Sequence, residues 1–242
     1  KVTPFSFLCL LACLFSCAQN KKDKSEDQYT KQVTERPVHD TPKQEKIEIK
    51  KKYISYDAKR RELSVEYIKT RHGLNQFSPV IVPKMIVLHY TGGGTIQSNF
   101  NYFNQTEIEE ARSNNRKQSK LNVSAHFLID RDGTIYQLMD DTSFARHTIG
   151  LNYCAIGVEN IGNEKNPLTK EQVNANIQLI RHLCSKYKIE YLIGHSEYIQ
   201  FRKTPLWKET DPNYITYKAD PGDDFLKQVR SQIKDLNLKY KP

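Results

Sequence analysis

Lys84-Met85-Ile86-Val87-Leu88-His89-Tyr90-Thr91-Gly92-Gly93-Gly94 is an apolar run that stops at a histidine and then breaks into consecutive glycines. Continuous apolar character over so few residues marks a buried strand, and the glycines mark the flexible turn that ends it. The same reading extends outward along the chain. Ser124 to Ile129 and Gly133 to Leu138 flank the polar turn Asp130-Arg131-Asp132, which predicts a hairpin. Ala155-Ile156-Gly157-Val158-Glu159 is a further strand, ending on a carboxylate, and Ile189 to Ile193 is another that leads into Gly194-His195. Between them, Thr169 and Gln172 form a capping box at a helix start, with Val173, Ile177, Ile180, Cys184 and Tyr187 as one apolar stripe. A last helix is expected from about Asp223, carrying Leu226, Val229, Ile233 and Leu236 on one face, with Asp223 and Asp224 suiting its N-terminal dipole. Strands alternating with helices predict an α/β fold, a central mixed sheet flanked by α-helices.

The full chain has 242 residues, enough for one domain with a substantial core. A hydrophobic fraction of 38% and a mean hydropathy of −0.70 exclude a multi-span membrane protein. Thirty-seven Lys and Arg against 28 Asp and Glu give a formal charge of +9, which suits an anionic partner: nucleic acid, an anionic lipid surface or a cell-wall polymer. About a third of that surplus lies in residues 18–52, where Lys50-Lys51-Lys52 follows a stretch rich in both signs and poor in large apolar side chains. Such a segment cannot offset the entropy of ordering and reads as a flexible tether. The charge is therefore partly a property of the tether, and no zinc knuckle, phosphate loop or basic-aromatic repeat supports nucleic-acid binding.

Ahead of the tether, Phe5 to Phe15 is about as long as a secretory signal's apolar core and too short to span a bilayer. Leu14-Phe15-Ser16-Cys17 resembles the lipobox of bacterial lipoproteins. That resemblance implies cleavage before Cys17, lipid on its thiol and amine, and a chain divided into a signal peptide (1–16), a charged tether (17–52) and a folded domain (53–242). It also implies an envelope location, anchored to a membrane, the outer one facing periplasm or cell surface. Cys154 and Cys184 fall in the domain and are read as either a pair or two separately buried thiols.

His89 and His195 occupy equivalent positions, each just after an apolar strand, and strand ends are where α/β folds gather site residues. Lys218-Ala219-Asp220-Pro221-Gly222 offers a carboxylate on a rigid corner. Two imidazoles and one carboxylate, with a fourth position open to water, are the ligand set of a hydrolytic zinc site.

Five ordered stretches then resemble a family: Ile86-Val87-Leu88-His89-Tyr90-Thr91, Ser124-Ala125-His126-Phe127-Leu128-Ile129-Asp130 with Gly133-Thr134-Ile135-Tyr136, Ile156-Gly157-Val158-Glu159, Gly194-His195-Ser196 and Lys218-Ala219-Asp220-Pro221-Gly222. Their order is similar to that of the type-2, zinc-dependent N-acetylmuramoyl-L-alanine amidases, which are related to peptidoglycan recognition proteins and phage-lysozyme amidases. The resemblance spans roughly residues 60–235. It implies cleavage of the amide between N-acetylmuramic acid and L-alanine in peptidoglycan or muropeptides, with one Zn²⁺ per chain; nothing in the sequence demands more than a monomer. Position by position, His89, His195 and Asp220 match the metal ligands, Glu159 the acidic catalytic residue and Lys218 the lysine beside the last ligand. A non-catalytic peptidoglycan-binding module of the same fold is the rival reading, and a DNA-binding protein a weaker one that rests on charge alone.

Other residues carry two readings each. His126 is expected to be structural or to support a ligand rather than to ligate. His147 touches substrate or lies in an exposed loop; Asn152 recognises a sugar or peptide group or caps a turn. His39, His72 and His182 read as tether, loop and helix-face residues without function, and Trp207 as packing within its own loop rather than a substrate platform. Asp211-Pro212 is a second Asp-Pro that lacks the flanking Lys and Gly, which favours Asp220 as ligand. The long insertion that holds it, 201–217, is expected to rim the cleft and narrow substrate choice.

Overall fold

The structure is a computed structural model in which residues 47–242 are described. The expected signal peptide, Cys17, His39 and the tether as far as residue 46 lie outside the described residues. Strands β1 (Ile49–Lys51), β2 (Met85–Tyr90), β3 (Phe127–Ile129), β4 (Ile135–Gln137), β5 (Ala155–Asn160) and β6 (Tyr191–Gly194) form one sheet in the order β1-β4-β3-β5-β2-β6. The β3–β4 hairpin is antiparallel and the other pairs are parallel, so the sheet is mixed as expected. Helices α1 (Ala58–His72), α2 (Ile96–Asn104), α3 (Ser113–Gln118), α4 (Lys170–Lys186) and α5 (Asp223–Ser231) accompany it, with a 3-10 helix over His195–Lys203. Among the described residues no helix is long and apolar enough to cross a membrane.

The parallel trio β5-β2-β6 positions the site. Its strands run the same way, so their C-terminal ends open along one edge of the sheet, the usual place for ligands in α/β folds. His89 stands beside Glu159 in register, and Leu88 beside Gly194, which puts His195 one step past β6 at the same level. Alternation then separates the two faces. Ile86, Leu88, Ile156 and Val158 enter the main core with Leu63, Tyr67, Leu179, Leu183 and Val229 from the helices. Met85, Val87, Ala155 and Ile193 face a second, smaller core with Leu151, Tyr198 and Phe201. His89 and Glu159 lie on that second face, beyond the end of its apolar rows.

Several expectations are corrected in detail. The sheet reaches into the stretch read as tether: Ile49–Lys51 pairs with β4, and Ile47 and Ile49 pack against the main core. Two alternating isoleucines were enough to build an edge strand among the charges. In α4 the capping box of Thr169 and Gln172 is present, but the buried face is Gln172, Val173, Ala175, Asn176, Leu179, Ile180 and Leu183, while Ile177, Cys184 and Tyr187 are only partly buried. The stripe is rotated because two buried amides sit at its centre. Asn176 donates to Asn160 Oδ1 at 2.7 Å, and Gln172 donates to the carbonyls of Ile129 and Ile161. The last helix ends at Ser231, so Ile233 and Leu236 lie beyond it. Cys154 and Cys184 are both free.

Candidate metal centre

His89 Nδ1, His195 Nδ1 and Asp220 Oδ2 form a nearly equilateral triangle with sides of 3.0, 3.1 and 3.2 Å. All three residues are buried, at 1%, 7% and 8% exposure. Each corner is fixed by backbone as well as side chain. Asn160 donates to the His89 carbonyl at 3.0 Å. Glu197 accepts from the Gly194 N–H and pairs with Arg230 of α5 at 2.5 Å, tying the start of the 3-10 helix to that helix. The Ser196 N–H donates to the Asp220 carbonyl at 2.8 Å. Gly194 matters for the same reason: a Cβ there would lie 2.7 Å from Leu226 and 2.9 Å from Pro221, so the bare backbone lets the Asp220 corner close onto β6.

Three acceptor-rich atoms converging in a buried corner are poorly served by hydrogen bonding alone, since three close pairs have too few protons between them. A tetrahedral ion with bonds of ~2.0–2.1 Å sets its ligand atoms about 3.3 Å apart. The triangle has that size, and two nitrogens with one oxygen is a zinc-type donor set. Electrostatics agrees. Burial, reinforced by the neighbouring His89, lowers His195 to about 4, so its imidazole is neutral at physiological pH. Burial acts against ionisation of Asp220, but its close contacts with the His195 and His89 rings outweigh it and hold the carboxyl below its ordinary range.

The triangle opens into a cleft of about 280 Å³ lined by Tyr90, Asn99, Tyr102, Arg112, His147, Glu159 and Lys218 among others. Glu159 is pushed up to about 7, chiefly by burial and against the pull of His89, and its Oε2 is buried without a hydrogen-bond partner. A carboxyl poised near neutrality, facing a cleft beside a ligand triangle, has the properties of a proton-transfer group. Lys218 is exposed and lines the same cleft.

A model of the family described as N-acetylmuramoyl-L-alanine amidase matches residues 78–223, more than half of the chain. The chain belongs to that family. The endolysin of Enterobacteria phage T3 is 27% identical over 128 residues, which is 50% of this chain and 80% of that protein. The endolysin of Escherichia phage T7 is 31% identical over 96 residues, 37% of this chain and 64% of that protein. Among solved structures, the N-acetylmuramoyl-L-alanine amidase LysC from Clostridium intestinale URNW is 21% identical, with a TM-score of 0.48, covering 80% of this chain and 100% of that one. Family membership supports amidase activity on peptidoglycan.

Within this amidase domain the remaining candidates separate cleanly. His126 is structural: it is fully buried, its Nε2 lies 2.8 Å from the Ser143 carbonyl and its Nδ1 accepts from the Gly157 N–H. His147 lies in the cleft rather than in an exposed loop, with its Nδ1 3.1 Å from His89 Nε2. Asn152 takes the turn-capping reading: it is buried, and its Oδ1 accepts from the N–H groups of both His147 and Thr148. Asp211 also caps a turn, accepting from the Asn213 N–H. His72 is not a loop residue but the buried last residue of α1, its Nδ1 3.0 Å from the Lys208 carbonyl.

His72 belongs to a clamp that overturns the expectation for the insertion. Arg71 pairs with the buried Glu209 carboxylate at 2.5 Å, Thr210 donates to the carbonyls of Thr70 and Arg71, and Trp207 stacks on Tyr198 with its ring against Gly150. Among the described residues, none of 201–217 lines the cleft. The segment covers the second core instead and acts as a buttress. Trp207→Ala is therefore expected to lower stability by about 2–4 kcal/mol in urea unfolding while leaving the pattern of muropeptides cut unchanged. A changed cleavage pattern at parental stability would restore the rim.

Proposed function

We propose that this domain is a zinc hydrolase that cleaves the amide joining the lactyl group of N-acetylmuramic acid to the L-alanine of the peptidoglycan stem. The observation that carries the reading is the His89, His195 and Asp220 triangle with sides of 3.0 to 3.2 Å, set in one cleft beside an unpartnered carboxylate. His89 and His195 through Nδ1, and Asp220 through Oδ2, would hold the ion. When bound, zinc supplies a Lewis acid for the scissile carbonyl and brings the pKa of a water to ~7. Glu159 Oε2 accepts a proton from the attacking water and returns it to the leaving L-alanine nitrogen, a role that a pKa of about 7 suits in both directions. Lys218 Nζ, on the cleft lip, neutralises negative charge that develops on the carbonyl oxygen. One chain supplies every one of these groups, so the reading requires no second copy. The lipobox-like Leu14-Phe15-Ser16-Cys17 supports a lipid on Cys17 and a site of action at the cell envelope.

The test is digestion of purified sacculi and soluble muropeptides with and without chelator, followed by mass analysis of fragments. New L-alanine amino termini that vanish on chelation and return with zinc are expected. Cutting that persists in chelator removes the metal from the reading; binding of muropeptides without any cutting removes the hydrolase.

A further inference from the structure

His147 donates no atom to the ligand triangle, yet its surroundings are built with unusual care. Its main-chain N–H and that of Thr148 are both tied to Asn152 Oδ1, at 2.8 and 2.6 Å. Its ring lies flat over Gly157 of β5, where an added Cβ would sit 2.7 to 2.8 Å from Cγ, Cδ2 and Nδ1. Its Nε2 is 3.1 Å from the Ala155 carbonyl, and its Nδ1 is 3.1 Å from His89 Nε2, with the two rings nearly perpendicular at 87°.

The protons in this chain follow from one fact: a carbonyl only accepts. His147 Nε2 therefore carries a proton and gives it to Ala155. In a neutral ring the remaining nitrogen, Nδ1, is then an acceptor. It faces His89 Nε2, whose proton it would accept, with Thr148 Oγ1 2.9 Å away as a second donor to the same lone pair. With its proton on Nε2, His89 presents a bare Nδ1 to the triangle, and His195 Nδ1, 3.1 Å from Asp220 Oδ2, is left as the donor to that carboxylate in the metal-free chain. The opposite tautomer would set two lone pairs against each other across 3.1 Å and place a proton where a ligand lone pair is needed. We propose that His147 is a positioning residue that fixes the tautomer and ring angle of His89, so that Nδ1 faces the triangle as a ready metal ligand. This rests on reading the triangle as a metal site. A hydrogen-bonded partner of a ligating histidine is worth about 10- to 100-fold in metal affinity.

The first measurement needs no variant and no metal. Long-range nitrogen–proton NMR of the metal-free parent chain reports which nitrogen of each imidazole carries the proton; the expected result is Nε2–H for both His147 and His89. The second is competition for zinc against a chromophoric chelator. His147→Ala is expected to weaken zinc by about 10- to 100-fold. His147→Asn, whose Oδ1 branches from the same Cγ as Nδ1 and can accept from His89, is expected to recover most of that loss. Gly157→Ala, which displaces the ring without touching a ligand, is expected to behave like His147→Ala. Nδ1–H on His89 in the metal-free chain, or parental affinity in His147→Ala, overturns the proposal. So does equal loss in the Ala and Asn variants, which would mark a packing role. Failure of the parent itself to bind zinc is a separate outcome: it removes the metal reading and, with it, the ground for this one.

Discussion

Glu159→Gln will hold zinc as the parent does and cut muropeptides about 10²- to 10⁴-fold more slowly, the range that positioned proton transfer contributes. The substitution keeps the shape of the side chain and its place in register beside His89, but removes the atom that takes and returns a proton. In the parent, burial pushes this carboxyl up to about 7. A base works only when deprotonated, so parental kcat/KM is expected to show an acid limb, set below that metal-free value because the charge of a bound ion favours the carboxylate, and the residual rate of the variant is expected to lose this limb. Stability supplies a second readout in the metal-free chain. The folded protein keeps the Glu159 proton to higher pH than the unfolded chain, whose glutamates titrate near ~4.3. The contribution of this group is then fully present below that value and is lost as pH rises through about 7. Glu159→Gln abolishes the dependence. In urea unfolding the metal-free variant should match the parent near pH ~4 and exceed it above pH ~7. Parental cutting rates in a variant that binds zinc normally would remove Glu159 from the mechanism.

How far the sequence could be read depended on which force dominated each segment. Strands β2, β5 and β6 were legible because burial on both faces demands unbroken apolar runs, and the polar residue that ends each run is the one delivered to the sheet edge: His89, Glu159 or His195. The ligand set followed from those ends together with Asp220. Helix α1 was not legible as a helix, because its buried positions include Arg60, Ser64, Arg71 and His72, which interrupt any apolar stripe. Arg60 alone reaches the carbonyls of Phe103 and Gln105, at 2.9 and 2.8 Å, bridging α1 to α2. The same cause misplaced the α4 stripe, where Gln172 and Asn176 are fully buried because they serve backbone and amide groups of the sheet. Periodicity detects apolar burial and is blind to polar burial that is satisfied by hydrogen bonds. The insertion was misread for a related reason: its Trp, Tyr and charged residues look like a binding rim, and the clamp with Arg71 and His72 connects positions about 140 apart in the chain. The role of His147 lay further out of reach, since it depends on where Ala155 offers a carbonyl and Gly157 omits a side chain.

Asp220→Ala is expected to abolish both amidase activity and the thermal protection that zinc gives the parent. An ion that binds only the folded chain stabilises it by about 2.7 to 4.1 kcal/mol at 100 to 1,000 times its Kd, which for a domain of this size is a rise in Tm of roughly 5–15 °C. The variant loses one of three ligand atoms, and an imidazole supplies no negative charge, so no anion remains to offset the charge of the ion. Folding itself is expected to survive, because the contact that docks this corner, from the Ser196 N–H to the Asp220 carbonyl, belongs to the backbone. Asp220→Asn separates charge from shape: it keeps an oxygen at the corner but no negative charge, and should regain little of the zinc-dependent rise. Calorimetry of the three chains with and without zinc decides the matter. A full rise in both variants would place the ion elsewhere and leave His89, His195 and Asp220 as a hydrogen-bonded cluster with no ligand to hold.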